Sequence, residues 1–303
     1  MPRPAAVPQA GAAGPLVHLE GNVIGGSASV EVHQHLAAPL RPERVLLLGP
    51  RPPVLVGRED LLAEIGRRLA RRPAADERPL VVAVHGLGGV GKTSLAAEYV
   101  HRHAAEYGVV CRLPAQDPAV LAVAFADLAV ALGVRNDSTQ NADPVKQVHA
   151  ALADRATRWM LFLDNVEDPS HALRELIPPV GDGGVLVTSR SPDWPRDVGL
   201  EVDVLPVSDG APLLLERSGD TDADAARAVA EALGGLPLAL EQAAGYVRTS
   251  GRSLRAYRDL LASHRAELLA RGRAYDYPGT LAATWDLALD RLRVEVPGSV
   301  ALL

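Results

Sequence analysis

Gly86-Leu87-Gly88-Gly89-Val90-Gly91-Lys92-Thr93 is the stretch richest in chemistry. Its spacing is G-x-x-x-x-G-K-T. It lies between an apolar run that reads as a strand, Leu80–Val84, and a segment that reads as a helix, about Lys92 to Glu106. Glycines let a backbone fold around phosphate oxygens with its N–H groups turned inward, and a helix N-terminus adds partial positive charge. Gly86, Gly88, Gly89, Val90 and Gly91 would form the cradle. Lys92 can reach the β- and γ-phosphates, the Thr93 hydroxyl can ligate Mg²⁺, and Ser94 sits within reach of the α-phosphate. The same glycines also satisfy G-x-G-x-x-G. That dinucleotide pattern needs an acid at the end of the next strand. Here the next strand ends Val109-Val110-Cys111-Arg112, so the phosphate-loop reading is preferred.

Two further polar groups close apolar strands. Trp159-Met160-Leu161-Phe162-Leu163 ends in Asp164, a candidate for Mg²⁺ binding at the tip of a buried strand. The bland alternative is an acid that caps the next helix. Asn165 follows, and an amide can orient water but cannot take its proton, so slow hydrolysis is expected. Gly184-Val185-Leu186-Val187-Thr188-Ser189 ends in Arg190. Arg190 would meet a γ-phosphate and so distinguish ATP from ADP, or else pair with a surface carboxylate. The candidate catalytic set is therefore Lys92, Asp164 and Arg190, and the candidate metal ligands are Thr93 and Asp164.

The elements that must hold these groups follow from hydrophobic period. Leu61, Leu62, Ile65 and Leu69 mark an amphipathic helix. Helices are expected at Ala119–Leu132 and Pro144–Ala156, strands at Val109–Cys111, Trp159–Leu163 and Gly184–Val187, and a weaker strand at Val202–Leu205. Strands alternating with helices predict an α/β fold, a parallel sheet covered on both faces. After Asp209 the expected elements are helices, over Asp222–Leu233, Leu238–Thr249, Leu254–Leu269 and Thr280–Leu292. The chain divides into an N-terminal segment (1–53), a nucleotide-binding domain (54–207), a helical domain (208–274) and the start of another domain (275–303). Arg41 to Pro53 reads as a linker with an apolar patch at Val45–Leu48.

Composition narrows the function classes. Apolar residues are 48% and charged residues 22% of 303, which excludes wholesale disorder. The formal charge of −6 disfavours a basic nucleic-acid binder, so no direct nucleic-acid partner is expected. One cysteine, Cys111, excludes an internal disulfide or a cysteine metal cluster. His33-x-His35 and His101-x-His103 lack a convincing third ligand. No apolar run approaches membrane-spanning length and no secretory pattern opens the chain, so a cytoplasmic protein with no membrane partner is expected.

Five motifs in order carry a resemblance: Val56-Gly57-Arg58-Glu59, Gly86–Thr93, Leu163-Asp164-Asn165-Val166, Val187-Thr188-Ser189-Arg190, and Gly234-Gly235-Leu236-Pro237-Leu238-Ala239-Leu240. Over about Val54–Leu303 the chain resembles the NB-ARC branch of the STAND P-loop NTPases, in particular actinobacterial members with TPR repeats. The resemblance implies a nucleotide-binding domain, a helical domain and a winged-helix domain, with ADP buried between them in an inactive monomer. Exchange for ATP then opens the molecule and permits homo-oligomerisation under the control of an unnamed trigger or effector protein. It implies Val56 and Arg58 at the adenine and Pro237 closing over it. Thr280–Leu292 resembles the entry to the winged helix, so the chain is expected to be a fragment lacking most of that domain and the repeats.

The segment Asn22–Val32 is read two ways: as a plain tail or hairpin, or as a short amyloid-type strand–turn–strand motif. Three functions compete for the whole. A turnover motor should carry a second acid beside Asp164 and a basic track, and neither is evident. A transcription regulator should carry a basic helix-turn-helix, and none stands out in 1–54. The signalling switch, binding ATP or ADP with Mg²⁺, is the reading that the motifs favour.

Overall fold

In the computed structural model, the described residues are 44–52, 55–70, 77–136, 139 and 141–270. They all fall in one compact unit, Leu40–Leu303. The Asn22–Val32 segment, the His33/His35 pair and the Thr280–Leu292 helix lie outside the described residues.

Six strands form one parallel sheet. They are β1 (Val45–Leu47), β2 (Leu80–His85), β3 (Val109–Pro114), β4 (Trp159–Val166), β5 (Gly183–Ser189) and β6 (Gly199–Glu201), in spatial order β1-β3-β4-β5-β2-β6. Parallel strands buried on both faces need apolar residues at successive positions. The strands supply them: in β4, Met160 and Phe162 join one core, and Trp159, Leu161 and Leu163 join the other. Helices α1 (Glu59–Leu69) and α2 (Lys92–His103) cover the first face through Leu62, Ile65, Leu95 and Tyr99. Helices α3 (Pro118–Ala131) and α4 (Pro144–Ala153) cover the second through Phe125, Leu128, Val148 and Leu152. Asp117 and Asp143 start those two helices by accepting backbone N–H bonds ahead of a proline. The short α5 (Pro169–His171) follows β4.

The helical part is α6 (Val207–Ser218), α7 (Ala223–Ala232), α8 (Pro237–Ser250) and α9 (Leu254–Ala270). Its core is continuous with that of α1 and α2, because Leu213, Leu240 and Tyr257 belong to the same cluster as Leu62 and Tyr99.

Three expectations are corrected. The Val45–Leu48 patch is no linker: Val45–Leu47 pairs in parallel with Val109–Cys111, and Val45 is buried in the second core. Val202–Leu205 is not a strand: the strand is Gly199–Glu201, beside β2. Both are buried, but only Val202 still touches the sheet, its N–H closing the β2–β6 ladder on the His85 carbonyl (2.8 Å), whereas Leu205 N–H bonds the Gly235 carbonyl (2.9 Å) outside it. Finally, α6 begins the helices before Asp222. Its internal Gly210 and Pro212 disguise it in the sequence. Gly210 is buried against Leu240, so the small residue serves the approach of α6 to α8.

Candidate functional site

The glycine loop leaves the C-terminal end of β2 and turns directly into α2. At its start, Gly86 has φ +140° and lies so close to the Val202 carbonyl that a side chain would not fit. The Lys92 side chain is buried and folds along the loop, and its ammonium donates to the carbonyls of Gly86 (2.9 Å) and Leu87 (2.7 Å). Burial, with the charge of Arg190 adding to it, holds the Lys92 ammonium below its ordinary pKa, and Asp164 opposes both. A cation stripped of water and bordered by a second cation is an anion site in waiting.

Asp164 lies near the C-terminal end of β4, beside the loop. Its Oδ1 accepts from the hydroxyls of Thr93 (2.8 Å) and Thr188 (2.7 Å), and its Oδ2 from Arg112 Nη2 (2.5 Å). The helix-capping alternative for Asp164 fails, because Asp168 caps α5 by accepting from Ser170 and His171 N–H. Asn165 itself stands at a bulge between β4 and β5 with φ +65°, and its N–H bonds Thr188 Oγ1 (2.8 Å). Asparagine tolerates that left-handed backbone better than most residues. The amide thus has a structural reason to be there as well as a chemical consequence.

These groups face a cleft of about 600 Å³. Val56, Arg58, Gly88 to Ser94, Asp164, Arg190 and Pro237 all line it. Gly86 does not, and contributes from beneath through its bond with Lys92. Arg58 is buried, which lowers its pKa, and its Nη2 donates to the carbonyls of Val90 (3.2 Å) and Asp203 (2.6 Å). It braces the loop as well as bordering the cleft. The motif entering α8 forms another wall. The N–H of Leu238 donates to the Gly89 carbonyl (3.1 Å), so the helical part is hydrogen-bonded directly to the glycine loop.

Sequence reasoning missed Arg112, Gln116, Leu205, Leu213, Leu238 and Glu241, which also line the cleft. Arg112 left a signal as a charge inside the apolar run Val109–Leu113, and Leu238 stands in the motif beginning at Gly234. A larger hollow of about 920 Å³ lies on the opposite face of the sheet, between α3, α4 and Leu173–Pro179. It holds no phosphate-loop residue, so the chemistry is assigned to the smaller cleft. Among the described residues no group of three metal-ligating His, Cys, Asp or Glu side chains occurs, and no helix is long and apolar enough to cross a membrane.

A family model for the AAA ATPase domain matches residues 54–182. The disease resistance protein UNI of Arabidopsis thaliana is 27% identical over 206 residues, covering 61% of this chain and 22% of that protein. A second, probable disease resistance protein of the same plant is 28% identical over 206 residues, again 61% of this chain and 21% of the other. The chain therefore spans about a fifth of the length of these relatives. A STAND protein with a tetratricopeptide repeat sensor from Pyrococcus horikoshii aligns over 68% of this chain and 31% of that one, at 18% identity and a TM-score of 0.43.

Proposed function

We propose that the chain carries an ATP-binding P-loop NTPase core of the NB-ARC/STAND type and acts as a signalling switch, in which ADP-to-ATP exchange controls opening and oligomerisation; the AAA ATPase domain match and the similarity to disease resistance proteins support this reading. The observation that carries this reading is the joint between the glycine loop and the helical part. Leu238 N–H bonds the Gly89 carbonyl at 3.1 Å, and Pro237 shares the cleft with Lys92 and Arg58. A nucleotide in this cleft touches both parts at once. Its identity therefore biases how they are held together, which is what a ligand-driven shift requires.

The roles divide along the cleft. Val56, Arg58 and Pro237 border the base, as the resemblance implies. Gly88 to Gly91 with Lys92 and Ser94 hold the phosphates. Arg190 meets the γ-phosphate, the one group that ATP has and ADP lacks. Thr93 Oγ1 and Asp164 Oδ1 are hard oxygen donors 2.8 Å apart, the chemistry that Mg²⁺ takes. When bound, the ion would neutralise phosphate charge. Asn165 orients water without removing its proton, so hydrolysis is slow and the ATP state is long-lived. The switch acts in the cytoplasm on an effector protein.

Sedimentation of the protein loaded with ADP, and then with a non-hydrolysable ATP analogue and Mg²⁺, tests the reading. A monomer with ADP and a larger assembly with the analogue support it. The same sedimentation coefficient with both, at saturating nucleotide, contradicts it.

A further inference from the structure

Arg112 lies on β3 opposite Phe162 of β4, one residue from the end of a buried apolar run. Its guanidinium stands 5.6 Å from the Phe162 ring centre and bonds Asp164 Oδ2 at 2.5 Å. The ion pair is sheltered, with 31% of the Arg112 side chain and 10% of the Asp164 side chain exposed. Neither the motifs nor the resemblance assigns Arg112 any task.

Both oxygens of Asp164 are thus engaged, and by partners of different kinds. Oδ1 carries two neutral hydroxyls, one of them on the candidate metal ligand Thr93, whereas Oδ2 carries a full positive charge. A cation bonded to a carboxylate competes with any metal for that carboxylate's charge. The guanidinium is anchored on one side only. Among the described residues its hydrogen bond goes to Asp164, and its Nε is buried without an acceptor. Gly49 makes room for it, since a side chain there would meet Arg112 Nη1 at 2.9 Å. That wall is itself fastened: Gly49 O lies 3.1 Å from His101 Nε2, and Arg51 bonds Glu98 through Nε and Nη2.

We infer that Arg112 is the resident counter-ion of Asp164, which Mg²⁺ has to displace, so that it sets how tightly the nucleotide site holds its metal. Arg112 is a positioning residue in this role, acting through Asp164. It keeps the acid neutralised and seated against Thr93 and Thr188 in a metal-free protein. It makes metal capture weaker than an unopposed carboxylate would give. Once released, its guanidinium remains on the wall that also carries Lys92 and Arg190. The inference rests on the nucleotide-site reading above.

The test uses the full chain saturated with ADP, with Mn²⁺ as a spectroscopically visible probe counted by electron paramagnetic resonance. Arg112→Gln and Arg112→Met both keep a stem over Phe162 and lose the charge. They are expected to tighten Mn²⁺ binding by about tenfold, the low end for a close charge pair that is partly exposed. In an Asp164→Asn background the same changes are expected to have no effect. ADP binding in EDTA, measured alongside, reports that each variant is folded and the nucleotide site intact. Unchanged or weaker Mn²⁺ binding in both variants with ADP binding retained overturns the inference alone. So does tightening that persists in the Asp164→Asn background. A wild-type protein that binds no ADP overturns the nucleotide reading and this inference with it.

Discussion

Gly234 and Gly235 are neighbours with nearly the same backbone, φ +62° and +66°, yet alanine should cost very different amounts at the two. Both pay the left-handed penalty for a residue with a side chain, about 1–2 kcal/mol. At Gly234 nothing lies within 4 Å of the added carbon, so the cost stops there. At Gly235 the added carbon would overlap the backbone carbonyl of Leu205, and backbone cannot rotate away as a side chain can. The chain must shift, at about 1–3 kcal/mol for forced overpacking. The bond from Leu205 N–H to the Gly235 carbonyl, 2.9 Å, is strained or lost, at about 1 kcal/mol more. Gly235→Ala should therefore destabilise by about 2–4 kcal/mol more than Gly234→Ala. Urea unfolding followed by circular dichroism measures it: with a slope of about 3 kcal/mol/M the two midpoints should differ by about 1 M. Leu205 lines the cleft and Gly235 leads into Pro237, so Gly235→Ala should also weaken nucleotide binding while Gly234→Ala leaves it nearly intact. Equal midpoints would refute the geometric argument at this joint.

Hydrogen bonds from Arg51 foremost, and from Arg102, hold the Glu98 carboxyl at about 2 although it is buried. A depressed carboxyl stabilises above its unfolded pKa and loses that contribution as pH falls toward the folded value. Glu98→Gln should therefore cost about 1–2 kcal/mol at pH 7, discounted because Arg51 is exposed, and the deficit should shrink below about pH 4.5 in thermal melts. A deficit constant down to pH 3.5 would mean that packing, not charge, is at work. Arg190→Ala should narrow the ratio of ATP to ADP affinity by about tenfold and leave ADP nearly unchanged in calorimetry. Matching losses for both nucleotides would make Arg190 structural. Phosphate release should be slow in the wild type and faster in Asn165→Asp, which restores an acid at the bulge. A fast wild-type rate that Asn165→Asp does not alter would show that another group activates water.

The sheet was legible because buried parallel strands write continuous apolar runs, as Trp159–Leu163 and Gly184–Val187 do. The glycine loop was legible because its spacing follows a phosphate-cradling pattern that depends on sequence alone. What stayed hidden depends on partners distant in sequence. Val45–Leu47 is a strand only because Val109–Cys111 lies beside it, and three residues between prolines carry no period of their own. Val202 and Leu205 look like a strand because they are apolar, but β6 ends at Glu201 and they are buried in the core that the helical part shares with α1 and α2. The helix at Val207–Ser218 hides behind Gly210, whose smallness serves a contact with Leu240 that no local rule reveals. In the site, Asp164 and Arg190 could be read because each is a charged group following a buried strand run, Trp159–Leu163 and Gly184–Ser189. The pairing of Arg112 with Asp164 needs the register of β3 against β4, which the sequence does not print.

The central claim is that the cleft around Lys92 binds a nucleotide through its phosphates. Calorimetric titration of ATP and of ADP into wild-type protein and Lys92→Ala tests it most directly. Lys92 is buried and is the cation that folds along the loop, so its loss should weaken ATP binding by about 2–4 kcal/mol, roughly 30- to 1,000-fold. Equal affinities in wild type and variant, with the variant folded, would contradict the account.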